Sequence, residues 1–255
     1  MIDYDYVEQG DCLELMKKIP DGSIDMILCD LPYGTTKNKW DSVIPFELLW
    51  NQYERIIKDN GAIVLFSQPP FDKALAMSNI KLFKYEWIWE KEQGSGFLNS
   101  KKMPLKNHEN ILVFYKNLPI YNPQMRTGFK PYTCKKGNHG TNYGADKGAV
   151  TVSDGSRYPL DILKFNRDKE KLHPTQKPVV LLEYLIKTYT NEGDVVLDNC
   201  MGSGSTCVAA VNTNRHYIGF ELDEKYFQIA CDRLDEAEEK FLRQKSLESE
   251  QVVSV

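Results

Sequence analysis

Apolar positions along this chain recur with two alternating periods. Residues 24–30, IDMILCD, form a nearly continuous apolar run closed by an acid, the pattern of a strand buried on both faces. Residues 45–58, PFELLWNQYERIIK, instead place Phe46, Leu49, Tyr53 and Ile56/Ile57 on one helical face. Ser42 is a candidate cap for that helix, Pro45 suits its first turn, and Asn60-Gly61 is expected to end it. AIVLFS then reads as a strand, residues 70–79 as a short helix, and KYEWIWEK (84–91) and ENILVFYK (109–116) as strands across a polar loop. Regular pattern returns after Pro178: VVLLEYLIKTYT is an amphipathic helix, DVVLDN a strand, SGSTCVAAVNT a loop and helix, and HYIGFEL a strand. A long helix is predicted from Asp223 to about Gln244, followed by a frayed tail over 246–255. Alternation of this kind predicts an α/β fold with a mainly parallel sheet covered by helices on both faces.

Between Asn117 and about Leu172 the periodicity fails, and Gly, Asn, Lys and Tyr accumulate. Connections of this length are usually functional, so residues 117–170 are read as an insertion into a discontinuous domain formed by 1–116 and 171–245. Charge adds to that picture. The chain of 255 residues has a formal net charge of -4, yet from Lys91 to Lys177 it carries 16 Lys/Arg against 7 Asp/Glu. A basic middle in an acidic protein suits local contact with a polyanion, although a solvated lysine-rich loop gives the same count.

Composition narrows the remaining classes. Hydrophobic residues at 42% support a sizeable core. No apolar run approaches the roughly 20 residues of a membrane span, and MIDYDYVEQG lacks the basic-then-apolar order of a signal peptide. A soluble, cytoplasmic protein is expected. The six cysteines form no C-x-x-C pair and the four histidines are scattered, so neither a metal site nor a disulfide framework is expected.

Two motifs carry chemistry. VVLDNCMGSGSTCVAA is a strand, a glycine loop and a helix; Gly202 and Gly204 permit a tight turn and close approach of backbone to a ligand. The following strand ends in Glu221, placed as the acid that accepts hydrogen bonds from ribose hydroxyls in nucleotide-binding α/β folds. Cys207 stands where a dinucleotide fingerprint needs its third glycine, and no G-K-[ST] follows. Asp198, just before the loop, suits a ligand with a cationic centre, as in S-adenosylmethionine; capping of the turn is its structural alternative. The second motif is Asp30-Leu31-Pro32-Tyr33, directly after the first buried strand. A nucleobase swung out of a duplex presents an exocyclic amine with two hydrogens. The Asp30 carboxylate and the Leu31 carbonyl can accept both, Pro32 helps aim that carbonyl, and Tyr33 offers a stacking face. An ordinary proline turn out of a strand is the plain alternative. In an open α/β sheet Asp30, Asp198 and Glu221 all fall at the carboxyl ends of strands, where ligands gather.

These residues resemble the amino-group DNA methyltransferases that use S-adenosylmethionine. Their [DNS]-P-P-[YFW] hallmark is present as Asp30-Leu31-Pro32-Tyr33, with Leu31 in place of its first proline. The order of the hallmark, the basic region, HPTQKP (173–178), DNCMGSGST (198–206) and GFELD (219–223) is similar to the circularly permuted beta group, as is GDCLELMKKIPDGSID (10–25). The resemblance implies a Rossmann-like, seven-stranded, mostly parallel sheet with one antiparallel strand, and methyl transfer to the N6 amine of adenine. It places Asp30, Leu31, Pro32 and Tyr33 at the target base, and Asp198, Gly202 and Gly204 at the methionine end of the cofactor. Glu221 falls at the ribose, Asp11 and Cys12 beside the adenine, and Thr175 and Lys177 at the cofactor carboxylate. Double-stranded DNA is the implied partner, with a homodimer and a companion restriction endonuclease as further implications.

The insertion then coincides with the family's target-recognition region. Lys101, Lys102, Lys106, Lys130, Lys135, Lys136 and Arg157 are candidates to neutralise phosphates, and Tyr132, Tyr143 and Tyr158 to stack or wedge. An N4-cytosine or RNA-directed enzyme of the same fold, a DNA-binding relative without catalysis and a nicotinamide-dependent dehydrogenase are the competing readings.

Overall fold

A computed structural model of the protein describes residues 4–34, 41–135, 150–169, 172 and 175–253. The chain forms two compact units, Met1–Asn122 with Asp161–Val255, and Pro123–Leu160. In the larger unit the elements run β1 (Tyr6–Gln9), α1 (Cys12–Met16), β2 (Ile24–Asp30), α2 (Phe46–Ile56), β3 (Ile57–Ser67), α3 (Phe71–Ser78), β4 (Phe83–Ser95) and β5 (Lys106–Phe114). The smaller unit holds β6 (Tyr132–Lys135) and β7 (Val150–Ser153). The larger one resumes with β8 (Ile162–Lys164), α4 (Val179–Tyr189), β9 (Val195–Asp198), α5 (Ser205–Asn212), β10 (His216–Glu221) and α6 (Glu224–Val253). Among the described residues no helix is long and apolar enough to cross a membrane.

The main sheet has eight strands in the order β1-β10-β9-β2-β3-β5-β4-β8. Every neighbouring pair is parallel except the two made by β5, which runs antiparallel to β3 and to β4. The expected count of seven strands is therefore one short. The added strand, β8, pairs with β4 in the stretch read as insertion, so residues 161–169 belong to the larger unit. Three residues are too few to show a period, which is why the pattern did not reveal it.

Period-two alternation in β2 sends Met26 and Leu28 to one face and Ile27, Cys29 and Leu31 to the other. The first face packs under α4, α5 and α6 through residues such as Leu185, Ala209 and Leu234. The second packs under α1, α2 and α3 through Met16, Tyr53 and Leu75. Parallel strands buried on both faces need this double cover. Arg55 at the end of α2 ties the first helices together, donating to the carbonyls of Met16 at 2.8 Å and Ile19 at 2.7 Å.

Two boundaries differ from the sequence expectation. Helix α2 starts after Pro45 and ends at Ile56; Asn60-Gly61 lies inside β3, where the pairing with β2 shifts register between Ile24 and Met26. A Cβ on Gly61 would sit 2.8 Å from the Asp25 carbonyl, so this glycine serves the bulge rather than a helix stop. Helix α6 continues to Val253, because SLESEQ contains no Gly or Pro to break it.

In the smaller unit β6 and β7 pair antiparallel, and Arg126 and Arg157 each stack on Phe129 at 5.3 Å. Arg157 also donates to the Lys130 carbonyl at 2.8 Å and lies 4.5 Å from the Tyr132 ring. It braces that unit through these contacts. Tyr132 and Tyr158 are exposed. Lys136 and Tyr143 lie outside the described residues. The ends of the larger unit on either side are anchored: Asn122 N–H donates to the Thr188 carbonyl, and Ile88 N–H to the Asp161 carbonyl, both at 2.8 Å.

Gly219 in β10 has no room for a side chain. A Cβ there would sit 2.5 Å from Met201 Sδ, 2.8 Å from Cys207 Sγ and 3.0 Å from Val7 Cγ1. Gly219→Ala is expected to cost about 1–3 kcal/mol through overpacking, measured as a lower urea midpoint with an unchanged slope.

Candidate active site

Because β2, β9 and β10 are parallel, their last residues, Asp30, Asp198 and Glu221, reach the same edge of the sheet. Chain connections diverge between β9 and β2: β2 leads through α2 to β3 on one side, β9 through α5 to β10 on the other. A crevice opens at such a switch point. Here it is a cavity of about 560 Å³, and every predicted site residue lines it except Gly204. Gly204 takes a left-handed φ of 77° before α5, and a Cβ there would approach Ala230 of α6 to 3.0 Å. Its missing side chain makes room for that helix.

One half of the cavity is built around the glycine loop. Glu221 Oε2 accepts the Gly202 N–H and Oε1 the Asp223 N–H, both at 2.8 Å, so the carboxylate holds the loop against the end of β10. Burial raises Glu221 above the usual carboxylate range against these hydrogen bonds. Asp198 Oδ1 accepts the Cys200 N–H at 3.1 Å. Burial pushes Asp198 up to about 6, opposed by the Thr206 hydroxyl and the Cys200 N–H. A buried carboxylate that is costly to ionise alone favours a cationic ligand. Beside it, the Tyr53 hydroxyl donates to Asn199 Oδ1 at 2.5 Å and fixes the residue after Asp198. Asp11 caps α1 by accepting the Leu13 N–H at 2.8 Å, and Cys12, in the same wall, is half-buried near Cys200.

The other half surrounds Asp30. Its Oδ1 accepts the Tyr33 hydroxyl and its Oδ2 accepts from Lys177 Nζ. Tyr33 stacks on Phe71 with centroids 5.0 Å apart. Leu31 is buried, and its side chain packs in the core on the α1–α3 face, an apolar anchor in place of the hallmark's proline. Lys177 Nζ also lies 3.3 Å from Glu109 Oε2 and 5.2 Å from the Phe66 ring, while Lys91 Nζ binds Glu109 Oε1. The result is an alternating chain of charge: Lys91, Glu109, Lys177, Asp30. Burial alone would lower Lys177, but Asp30 and Glu109 outweigh it and keep the ammonium charged. Burial pushes Asp30 upward, opposed by Lys177 and then aided by Glu109. Burial also acts to raise Glu109, but Lys177 and Lys91 hold it below the usual range.

Lys177, expected at a cofactor carboxylate, lines the cavity and is bonded to Asp30 and ion-paired with Glu109. Thr175 contributes its carbonyl to Lys177 at 3.3 Å. His173 and Pro174 of the same motif lie outside the described residues. Glu109 and Lys91 were missed. Glu109 reads as an acid at the start of a strand, and only the reversed direction of β5 brings that start to the carboxyl edge of β3 and β4, opposite Trp89. Among the described residues, no group of three or more His, Cys, Asp or Glu is placed to hold a metal ion.

The sequence pattern of the DNA methylase family matches residues 24–232, and the chain belongs to that family. It is 28% identical over 247 residues to the DNA adenine methyltransferase YhdJ of Escherichia coli K12, covering 89% of this chain and 82% of the relative. It is 26% identical over 242 residues to the type II methyltransferase M.HpaI of Haemophilus parainfluenzae, covering 89% and 73%. The crystal structure of an M1.HpyAVI–SAM complex matches with a TM-score of 0.60 at 26% identity, covering 89% of this chain and 98% of that one.

Lys177→Met would leave Asp30 and Glu109 buried without their shared cation. The expected loss is about 3–5 kcal/mol of folding stability. Without the ammonium, burial is left to hold Asp30 above its unfolded pKa, while Glu109 keeps Lys91, so the protonated form of Asp30 favours the fold and that contribution is lost as pH rises. Thermal melts should therefore show a larger deficit near about pH 8 than near about pH 5.

Proposed function

We propose that the protein transfers a methyl group from S-adenosylmethionine to the N6 amine of an adenine swung out of a specific double-stranded DNA sequence. The observation that carries this reading is the placement of Asp30 and Tyr33 in one cavity with Asp198, Gly202 and Glu221. Family membership and the adenine-methylating relative support it. The residues present fit the cofactor. Asp198 is a buried carboxylate for a cationic centre, Glu221 retains acceptor capacity for ribose hydroxyls beyond its two backbone donors, and the cavity is of ligand size.

S-adenosylmethionine, when bound, supplies an electrophilic methyl on a positively charged sulfur. The chain supplies position. Asp30 accepts one hydrogen of the target amine and the Leu31 carbonyl the other, which frees the nitrogen lone pair for in-line attack. Tyr33, backed by Phe71, holds the ring of the base. As the N–C bond forms and the methyl–sulfur bond breaks, leaving S-adenosylhomocysteine as a neutral thioether, the nitrogen becomes cationic and sheds a proton, and the Asp30 carboxylate already hydrogen-bonded to it is the first acceptor. Rate enhancement then rests on orientation and exclusion of water. M.HpaI is a type II methyltransferase, which supports a place for this chain beside a restriction endonuclease.

Nucleoside analysis of DNA treated with the protein tests the reading. N6-methyladenine is expected, and N4-methylcytosine without it would overturn the assignment. Asp30→Ala should give no methylated product while calorimetry still shows cofactor binding. Glu221→Ala should weaken cofactor binding by about 1–3 kcal/mol, the scale of a lost hydrogen bond to a charged group; unchanged affinity removes Glu221 from the site.

A further inference from the structure

A target amine at Asp30 would share a carboxylate whose acceptor strength is already drawn on by the Lys177 ammonium and the Tyr33 hydroxyl. The ammonium donates to Oδ2 and the Tyr33 hydroxyl to Oδ1, so each carboxylate oxygen already accepts one donor. An incoming amine is a neutral donor, weaker than an ammonium. It could not displace Lys177 from a buried carboxylate if the lysine had to leave as an unpaired charge. The structure provides a second place for that charge. Glu109 Oε2 lies 3.3 Å from Lys177 Nζ, is buried, and has no aligned hydrogen-bond donor. Lys91 binds the other oxygen of the same carboxylate and fixes its orientation. The Phe66 ring lies 5.2 Å from the ammonium and contacts it from a third side.

We propose that Lys177 fills the amine subsite of Asp30 in the DNA-free protein and is handed to Glu109 when the flipped base arrives. This rests on the base-clamp reading given above and names how that clamp is opened. The move is short and keeps the ammonium paired throughout, so little desolvation accompanies it. It leaves Asp30 with Tyr33 and the base as its only donors, and therefore a stronger acceptor at the moment of attack. Glu109 is a positioning residue: it acts on Asp30 through Lys177 and need not touch the base.

The test uses the full chain and duplex DNA already shown to be methylated by the wild-type protein, which separates it from the test of the reaction itself. Glu109→Gln removes the alternative charge. Single-turnover methyl transfer is expected to fall by about tenfold or more, with cofactor affinity in calorimetry unchanged within about twofold. Glu109→Asp, which keeps the charge, should retain most of the rate. The diagnostic variant is the double change Lys177→Gln with Glu109→Gln. With no ammonium on Asp30, it should transfer faster than Glu109→Gln alone, a coupling that two independent losses would not produce. A wild-type rate in Glu109→Gln overturns the proposal. So does a double variant as slow as Glu109→Gln or slower, including the case in which both have lost cofactor binding through misfolding.

Discussion

The site depends on keeping carboxylates together in a place poor in water. Parallel strands bring Asp30, Asp198 and Glu221 to one sheet edge, and β5, running the other way, adds Glu109. Like charges at such spacing destabilise a fold unless each is compensated. The four acids here have three remedies. Glu221 is satisfied by two backbone N–H groups, and Asp198, which burial pushes up to about 6, by the Cys200 N–H and the Thr206 hydroxyl. Asp30 and Glu109 share the ammonium of Lys177. The three remedies divide the cavity into a half suited to a cation-bearing ligand and a half suited to an amine.

The sheet itself was largely readable. IDMILCD, VVLD and HYIGFE are continuous apolar runs, and their acids mark where the strands stop. Helix α4 was equally plain, because VVLLEYLIKTY carries its apolar face without interruption. What escaped were features that depend on strand partners. The bulge at Gly61 arises from pairing with Asp25, and β8 exists only because β4 offers an open edge. Neither leaves a periodic trace in its own segment.

Asp30, Asp198 and Glu221 were legible because they end strands, whereas Glu109 and the ion pairs among these residues were not. Lys177 sits 147 residues from Asp30, and no local pattern distinguishes a lysine that reaches a buried carboxylate from one that faces solvent. The same holds for Gly204. Its position in a glycine motif suggests ligand contact, but its missing side chain makes room for Ala230 on a helix much later in the chain.

Asn122 and Asp161, the residues of the larger unit between which 123–160 lie in the chain, are both held by backbone hydrogen bonds within that unit, one to the end of α4 and the other to β4. The entropy of closing a segment between fixed ends grows only slowly, by about 0.6 kcal/mol for each doubling of length. A stretch mounted this way can be lengthened, shortened or rewritten with little penalty to the framework that holds it.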